Sequence, residues 1–256
     1  MSFQLLLIRL NKLIQAMRVR RLRKALIGHR VLAGAEHRKV LAKNFRTVVD
    51  VGANRGQFSL AARQWAPGAR LISFEPLSGP AEVFSKIFKE DTMVTFHQAA
   101  IGPEAGSVPI HVAAADDSSS ILPVSTLHKR LFPGMAEVGR EQVRIGRLIE
   151  FVSPEEIVLP ALLKLDVQGF ELEALVGCKD LLDSFSHVYA ECSFMKLYTG
   201  QALADEVIDW LAKRSFRLTG IYNLSYDGKG DAVQGDFLFT KNSSTNSRGS
   251  SISKTE

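Results

Sequence analysis

Three acidic residues, Asp50, Glu75 and Asp166, stand at the ends of short, mainly apolar runs of the sequence. A carboxylate at the end of a buried strand can accept hydrogen bonds from the hydroxyl groups of a ribose, as it does in nucleoside-binding α/β proteins. The carboxyl ends of neighbouring parallel strands meet at one edge of a sheet. We therefore expect the three carboxylates to face one crevice and to bind a nucleoside there.

A turn of small residues follows the first acid. Residues 48–59 read VVDVGANRGQFS, the pattern of a strand, a tight turn and a helix. Gly52 and Gly56 let a ligand approach the backbone, and the helix beginning near Gly56 presents free N–H groups. The spacing Gly-Ala-Asn-Arg-Gly departs from the GxGxxG of dinucleotide sites and resembles motif I of S-adenosylmethionine-dependent methyltransferases. Two alternatives stay open, a nicotinamide or other nucleotide site and a turn that only packs the helix on the strand.

The same strand–acid–glycine–helix pattern recurs along the chain, which predicts a parallel, doubly wound α/β sheet. The apolar patterns predict strands at 48–51, 70–75, 93–101, 108–113, 143–152, 162–167, 187–192, 216–222 and 237–240. Helical periodicity or helix-start signals predict helices at 56–66, 79–89, 170–184 and 201–214.

Small and polar residues mark the connections that would surround the crevice. Ala99 and Ala100, at the end of the third strand, suit a flat adenine ring, and a plain small-residue turn explains them equally well. The serine run 118–120 is typical of a solvated loop. Residues 123–141 predict a loop with a short helix, which we interpret as a lid over the site.

Length and composition are those of one globular domain with appendages. The chain has 256 residues, 46% hydrophobic and 23% charged. Cys178 and Cys192 are its two cysteines, and neither has a His or Cys at metal-ligand spacing. We interpret them as free thiols of a reducing compartment and expect a cytoplasmic protein.

The net charge of +5 hides a basic N-terminal arm. Residues 1–46 hold 12 Lys and Arg against the single Glu36, whereas the rest of the chain has a net charge of −6. Apolar residues from Phe3 to Met17 recur at helical spacing, but Arg9 and Lys12 interrupt them, so we expect neither a membrane span nor a secretory signal. Three interpretations of the arm stay open: a helix packed on the body, a peripheral membrane-surface contact through residues 1–30, and a nucleic-acid contact. We expect no nucleic acid, because no aromatic residues are interleaved with the basic ones.

Taken together, several segments resemble the FkbM family of S-adenosylmethionine-dependent methyltransferases. The matching segments are DVGANRGQFS (50–59), ISFEP (72–76), Ala100–Gly102, SSSIL (118–122), LKLDVQGFELEALVG (163–177) and GDFLF (235–239). One departure is Gln168, where the family commonly has Glu; another is Gln98, where it often has Asn. The resemblance covers about residues 46–241, which we predict to be the catalytic domain after a helical arm at 1–45 and before a disordered tail at 242–256.

The resemblance implies a Rossmann-like sheet of seven strands, as in class I methyltransferases, with the last strand antiparallel. It implies S-adenosylmethionine as the cofactor and a hydroxyl of a small molecule, glycan or glycolipid as the methyl acceptor. It also implies ribose binding by Glu75, an adenine contact by Ala99 and Ala100, and a place for Asp166 beside the methyl group. The methionine end of the donor would be lined by Asp50, Gly52, Asn54 and Gly56.

The base that an aliphatic hydroxyl needs is less well marked. Asp166 is our first candidate, as the base or as the group that orients the acceptor, although it can equally cap the following helix. Glu191, at the end of the next strand, is the second, and His128 in the predicted lid is a third. We predict no metal site, with Asp166 and Glu191 left open as a weak divalent pair. Two other functions also stay open, a nicotinamide-dependent oxidoreductase and a non-catalytic membrane-surface adaptor.

Overall fold

The predicted apolar runs form the centre of a seven-stranded sheet. The computed structural model describes residues 17, 19–114, 118–131 and 137–242. The strands of this sheet are β1 (Thr47–Val51), β2 (Arg70–Phe74), β3 (Val94–His97), β7 (Ala161–Leu165), β8 (His187–Ser193), β9 (Phe216–Tyr226) and β10 (Ala232–Lys241). Their order is β3-β2-β1-β7-β8-β10-β9, with parallel pairing up to β8 and with β10 antiparallel to both of its neighbours. The Rossmann-like, doubly wound sheet of seven strands with an antiparallel last strand is confirmed.

Helices cover both faces of this sheet. The α-helices of the described residues are α1 (Arg20–His29), α2 (Arg38–Leu41), α3 (Gln57–Trp65), α4 (Ser78–Phe88), α5 (Thr126–Leu131), α6 (Glu171–Gly177) and α7 (Ala204–Ala212). Every residue of β1 and β7 is buried, as expected for central strands packed on both sides. The helix predicted at 170–184 is α6 followed by a 3₁₀ turn at Lys179–Ser184.

A second, three-stranded sheet lies beside the first, and the sequence patterns did not separate it. The strand predicted at 93–101 is divided, because the chain turns after His97 and Ala100–Ile101 (β4) pairs with a different sheet. Its other strands are β5 (Gly106–Ala113) and β6 (Glu137–Gly146), in the order β4-β6-β5. The strand predicted at 143–152 therefore begins earlier and ends at residue 146, and the loop predicted at 123–141 contains α5 and the start of β6.

The described part of the basic arm packs against the body. Leu22 and Ala25 of α1 are buried in a cluster with Phe84 and Phe88 of α4. Farther along, Val40, Leu41 and Phe45 are buried beneath the sheet in a cluster that includes Phe58, Leu162 and Tyr189. The helical pattern from Phe3 to Met17 and the tail after residue 242 lie almost wholly outside the described residues. The domain boundaries stay a prediction.

The helices of residues 17, 19–114, 118–131 and 137–242 are short. None of these helices combines the length and the apolar character that crossing a bilayer requires.

Candidate active site

A cavity of about 290 Å³ opens at the carboxyl edge of the central strands. The predicted site residues that line it are Gly52, Asn54, Glu75, Ala99, Ala100 and Asp166. Asp50, Gly56 and Glu191 are not among its lining residues. The structure thus brings together two of the three strand-end acids, the glycine turn and the alanine pair.

The glycine turn has its shape because of the neighbouring strand. Gly52 has a φ of +79°, and a Cβ there would overlap the main-chain oxygen of Asp166. Gly56 has a different role: a Cβ there would lie 2.8 Å from the ring of Phe88, so this glycine lets α3 pack closely on α4. Gly56 does not line the cavity, and its predicted contact with the ligand stays a prediction.

Glu75 is held at the cavity wall by backbone donors. Its carboxylate accepts hydrogen bonds from the N–H of Asn54 and the N–H of Leu77, each at 2.9 Å. The side chain is buried, and this burial raises the pKa of Glu75 to about 7, against the lowering effect of the two backbone hydrogen bonds. Each oxygen retains a lone pair, so Glu75 can accept further hydrogen bonds from ligand hydroxyl groups.

Asp50 lies beneath the cavity and not in its wall. It stands one residue before the end of β1, so its side chain shares a face of the sheet with Lys164, its partner on β7. The Asp50 carboxylate accepts a hydrogen bond from Ser59 Oγ at 2.7 Å and lies 3.0 Å from Lys164 Nζ. The expectation that Asp50 lines the crevice is therefore corrected: this carboxylate holds Lys164 in place.

Lys164 is a cavity-lining residue that the sequence reasoning missed. Its ammonium donates to the main-chain oxygen of Gly52 at 2.9 Å and lies 3.7 Å from Asp166 Oδ2. Burial alone lowers the pKa of Lys164, but the carboxylates of Asp50 and Asp166 outweigh burial, so its pKa is raised and the ammonium stays charged. A signal was present, because a lysine inside the buried run Leu162–Leu165 needs a carboxylate partner.

Gln168 joins the two predicted catalytic acids. Its Nε2 donates to Asp166 Oδ1 at 2.8 Å and to Glu191 Oε2 at 3.1 Å, and its Oε1 accepts from the hydroxyl of Tyr198 at 3.0 Å. The other oxygen of Glu191 accepts from Gln234 Nε2 at 2.8 Å. Glu191 also does not line the cavity, so the geometry favours another residue as the base. The Asp166 side chain is 41% exposed and lines the cavity.

The alanine pair and the serine run close the cavity from the other side. Ala99 and Ala100 are buried and present small, flat surfaces to it. Ser120 is buried, contrary to the expectation of a solvated loop, because its Oγ donates to the main-chain oxygen of Gln168 at 2.6 Å. His128 of the predicted lid is also buried, against Tyr198, and does not line the cavity.

In the part of the chain that the structure describes, no three His, Cys, Asp or Glu side chains are grouped to hold an ion. Cys178 and Cys192 are both free and buried.

Comparisons with known proteins identify a family for this chain. A family model described as the methyltransferase FkbM domain matches residues 50–218. The chain is 27% identical over 202 residues, 75% of its length, to 2-O-methyltransferase NoeI of Sinorhizobium fredii (strain NBRC 101917 / NGR234), of which it covers 82%. It is also 27% identical over 146 residues to Methyltransferase 1 of Beauveria bassiana (strain ARSEF 2860), covering 52% of this chain and 58% of that protein. A putative RNA methyltransferase from Pyrococcus horikoshii superposes with a TM-score of 0.44 at 12% identity, covering 81% of this chain and 83% of that structure.

Proposed function

The chain belongs to the FkbM family of methyltransferases, with S-adenosylmethionine as its cofactor, and we propose that it methylates a hydroxyl group of a sugar, glycolipid or secondary metabolite. The observation that carries this proposal is that the Gly52 turn, Glu75 and Asp166 line the same cavity. The relative named as a 2-O-methyltransferase supports oxygen as the acceptor atom. The oxidoreductase alternative has no such support.

The residues around the cavity fit the proposed cofactor. Glu75 offers carboxylate oxygens to the ribose hydroxyl groups, and Ala99 and Ala100 leave room for the adenine ring. At Gly52 the absence of a Cβ lets the backbone of β1 and β7 lie close together under the methionine end. When bound, the cofactor supplies an electrophilic methyl group on a sulfonium.

The carboxylates of Asp50 and Asp166 are paired with Lys164, so they do not overstabilise the sulfonium in the ground state. A carboxylate pressed against it would stabilise the ground state more than the transition state, in which the positive charge is disappearing. Asp50 is neutralised by Lys164 beneath the cavity, and Asp166 has the same ammonium 3.7 Å away. We propose that Asp166 orients the acceptor hydroxyl and that most of the acceleration comes from holding the two reactants in position.

The test is a screen of hydroxylated acceptors with isotopically labelled methyl donor. Label is expected in a methoxy group of a glycan, glycolipid or related metabolite, and an Asp166→Asn variant is expected to lose most of it. Label found on nitrogen or carbon, or in no acceptor with a protein that binds the donor, would contradict the proposed O-methylation.

The basic N-terminal residues suggest where in the cell the reaction takes place. We propose a cytoplasmic enzyme whose basic N-terminal residues bring it to a lipid-linked acceptor at a membrane surface. The charge of residues 1–46 supports this view. Sedimentation with anionic liposomes is expected to be weaker for a protein that lacks residues 1–30, and equal sedimentation would refute the membrane contact.

A further inference from the structure

A histidine from the N-terminal segment forms part of the cavity wall. His37 ends a 3₁₀ turn at Ala35–His37, and this turn is tied to α3 by a hydrogen bond from the N–H of Gly34 to the main-chain oxygen of Gln57 at 3.0 Å. The His37 ring packs edge-on against Phe58, with 5.0 Å between ring centroids, and edge-on against Tyr189, with 5.7 Å. Its side chain is 17% exposed and lines the same cavity as Glu75 and Asp166. The ring is therefore fixed in place and open to a ligand.

The hydrogen bonds behind the ring determine which nitrogen carries the proton. The hydroxyl of Tyr189 donates to Asp236 Oδ2 at 2.9 Å, and the amide of Asn223 donates to the same oxygen at 2.7 Å. The Tyr189 hydroxyl uses its own proton in the hydrogen bond to Asp236, so its oxygen accepts from His37 Nδ1, which lies 3.1 Å away. The neutral ring is thus protonated on Nδ1. Its Nε2 has a free lone pair, and none of the residues described in the structure hydrogen-bonds to it.

Burial keeps the His37 ring neutral at neutral pH. Burial lowers the pKa of His37 and outweighs the opposing effect of Asp236 and Glu36, so the ring is neutral when no substrate is bound. Lys164 also lowers this pKa, whereas Asp166 raises it. Burial, together with Asp236, raises the pKa of Tyr189, so the phenol keeps the proton that it donates in its hydrogen bond to Asp236.

We propose that His37 is the catalytic base of the methyl transfer, accepting the proton of the acceptor hydroxyl on Nε2 while Tyr189 and Asp236 act as positioning residues. This inference rests on the proposed O-methylation. The acceptor oxygen bonds to the methyl carbon as the methyl–sulfur bond breaks, and the bonding pair stays on sulfur. The hydroxyl proton passes to Nε2, and the resulting imidazolium is stabilised through Tyr189 by the carboxylate of Asp236 until it releases the proton to solvent.

This base lies outside the part of the chain that resembles known relatives most clearly. The family model covers residues 50–218, and His37 precedes it, whereas Asp236 lies after it in the segment GDFLF that also resembles the family. Asp166 is a poorer base in this setting, because Gln168 donates to one of its oxygens and the Lys164 ammonium faces the other. An imidazole with a free lone pair and a buried carboxylate behind it is better suited to remove a proton near neutral pH.

The first experiment reads the protonation of the ring directly and needs no turnover. Nitrogen-15 spectra of the imidazoles of the full-length protein, assigned by comparison with His37→Gln, are expected to show Nδ1 protonated and Nε2 unprotonated. Tyr189→Phe is expected to abolish this preference. A wild-type His37 that is protonated on Nε2, or unaffected by Tyr189→Phe, would overturn the proposal.

The second experiment separates proton removal from cofactor binding. His37→Gln is expected to lower kcat by about 10²- to 10⁴-fold, to remove the limb of the pH profile that belongs to the base, and to leave the Kd for S-adenosylhomocysteine within about twofold. His29→Gln, a histidine of the same segment outside the cavity, is the matched control and is expected to keep wild-type rates. An equal loss of S-adenosylhomocysteine binding and of kcat would show that His37 holds the cofactor instead. A wild-type protein that transfers no methyl group would refute the proposed function, while the nitrogen-15 spectra would still report on the ring.

Discussion

Removing the ammonium of Lys164 should destabilise the protein more than any surface change. The Lys164 side chain is 5% exposed and that of Asp50 is 1% exposed, and their charged atoms lie 3.0 Å apart. In Lys164→Met the Asp50 carboxylate would remain buried with Ser59 as its hydrogen-bond donor, and Gly52 would lose the ammonium that binds its carbonyl. Breaking a buried pair by removing one partner costs about 3–5 kcal/mol.

This cost is large enough to measure by two methods. In a protein of this size each kcal/mol moves Tm by about 2–4 °C, so Lys164→Met is expected to lower Tm by roughly 6–20 °C. Equilibrium unfolding in urea at neutral pH should show the same loss as a lower midpoint with an unchanged slope. Lys86→Met is the matched control, because Lys86 is exposed and pairs with Glu82 on the surface of α4, and it should leave Tm unchanged.

A double variant tests whether the pairing itself is the cause. Asp50→Asn combined with Lys164→Met removes both charges and should recover at least about 1 kcal/mol relative to Lys164→Met alone. Additive losses in the double variant, or a loss below about 1 kcal/mol for Lys164→Met, would refute the reasoning.

Three further predictions follow from the same contacts. Gly52→Ala should abolish folding or cofactor binding because its Cβ would overlap the main-chain oxygen of Asp166, whereas Gly79→Ala, with open space around it, should be tolerated; thermal melts with and without S-adenosylhomocysteine check both. The pKa of Glu75 is about 7 in the folded protein against a normal value of 4.5, so the folded state binds this proton more tightly, and stability should fall by about 3 kcal/mol as pH rises through that window. In Glu75→Gln the free energy of unfolding should change less with pH over this window. An unchanged slope would contradict the raised pKa of Glu75. Gln168→Glu replaces the amide that donates to Asp166 with another carboxylate, so in urea titrations it should lower the free energy of unfolding more near pH 8 than near pH 5. An equal loss of stability at both pH values would count against the hydrogen bond between Gln168 and Asp166.

The sheet and the cofactor end of the site were predictable from local patterns. Apolar runs of strand length, each ending in an acid, identify β1, β2 and β7, and parallel sheets place such ends together. The position of Asp50 was not predictable in this way. Side chains alternate between the two faces of a strand, so being one residue short of the strand end turns this carboxylate toward Lys164 and away from the ligand.

The acceptor side of the site depends on contacts between distant parts of the chain. His37 meets Tyr189 across 152 residues of sequence, and Tyr189 meets Asp236 across 47. No local pattern indicates such a pairing, because each residue alone reads as an ordinary residue of a turn or a strand. The same holds for β4, whose two residues are assigned to the second sheet only by their pairing with β6.

We propose that the cavity beside Gly52 and Glu75 holds the methyl donor. Isothermal titration of the full-length protein with S-adenosylhomocysteine and, separately, with NADH tests it most directly. We predict that one S-adenosylhomocysteine binds per chain, that Glu75→Ala weakens this binding, and that NADH does not bind. Failure to bind S-adenosylhomocysteine at millimolar concentration, or binding that is indifferent to Glu75→Ala, would contradict the account.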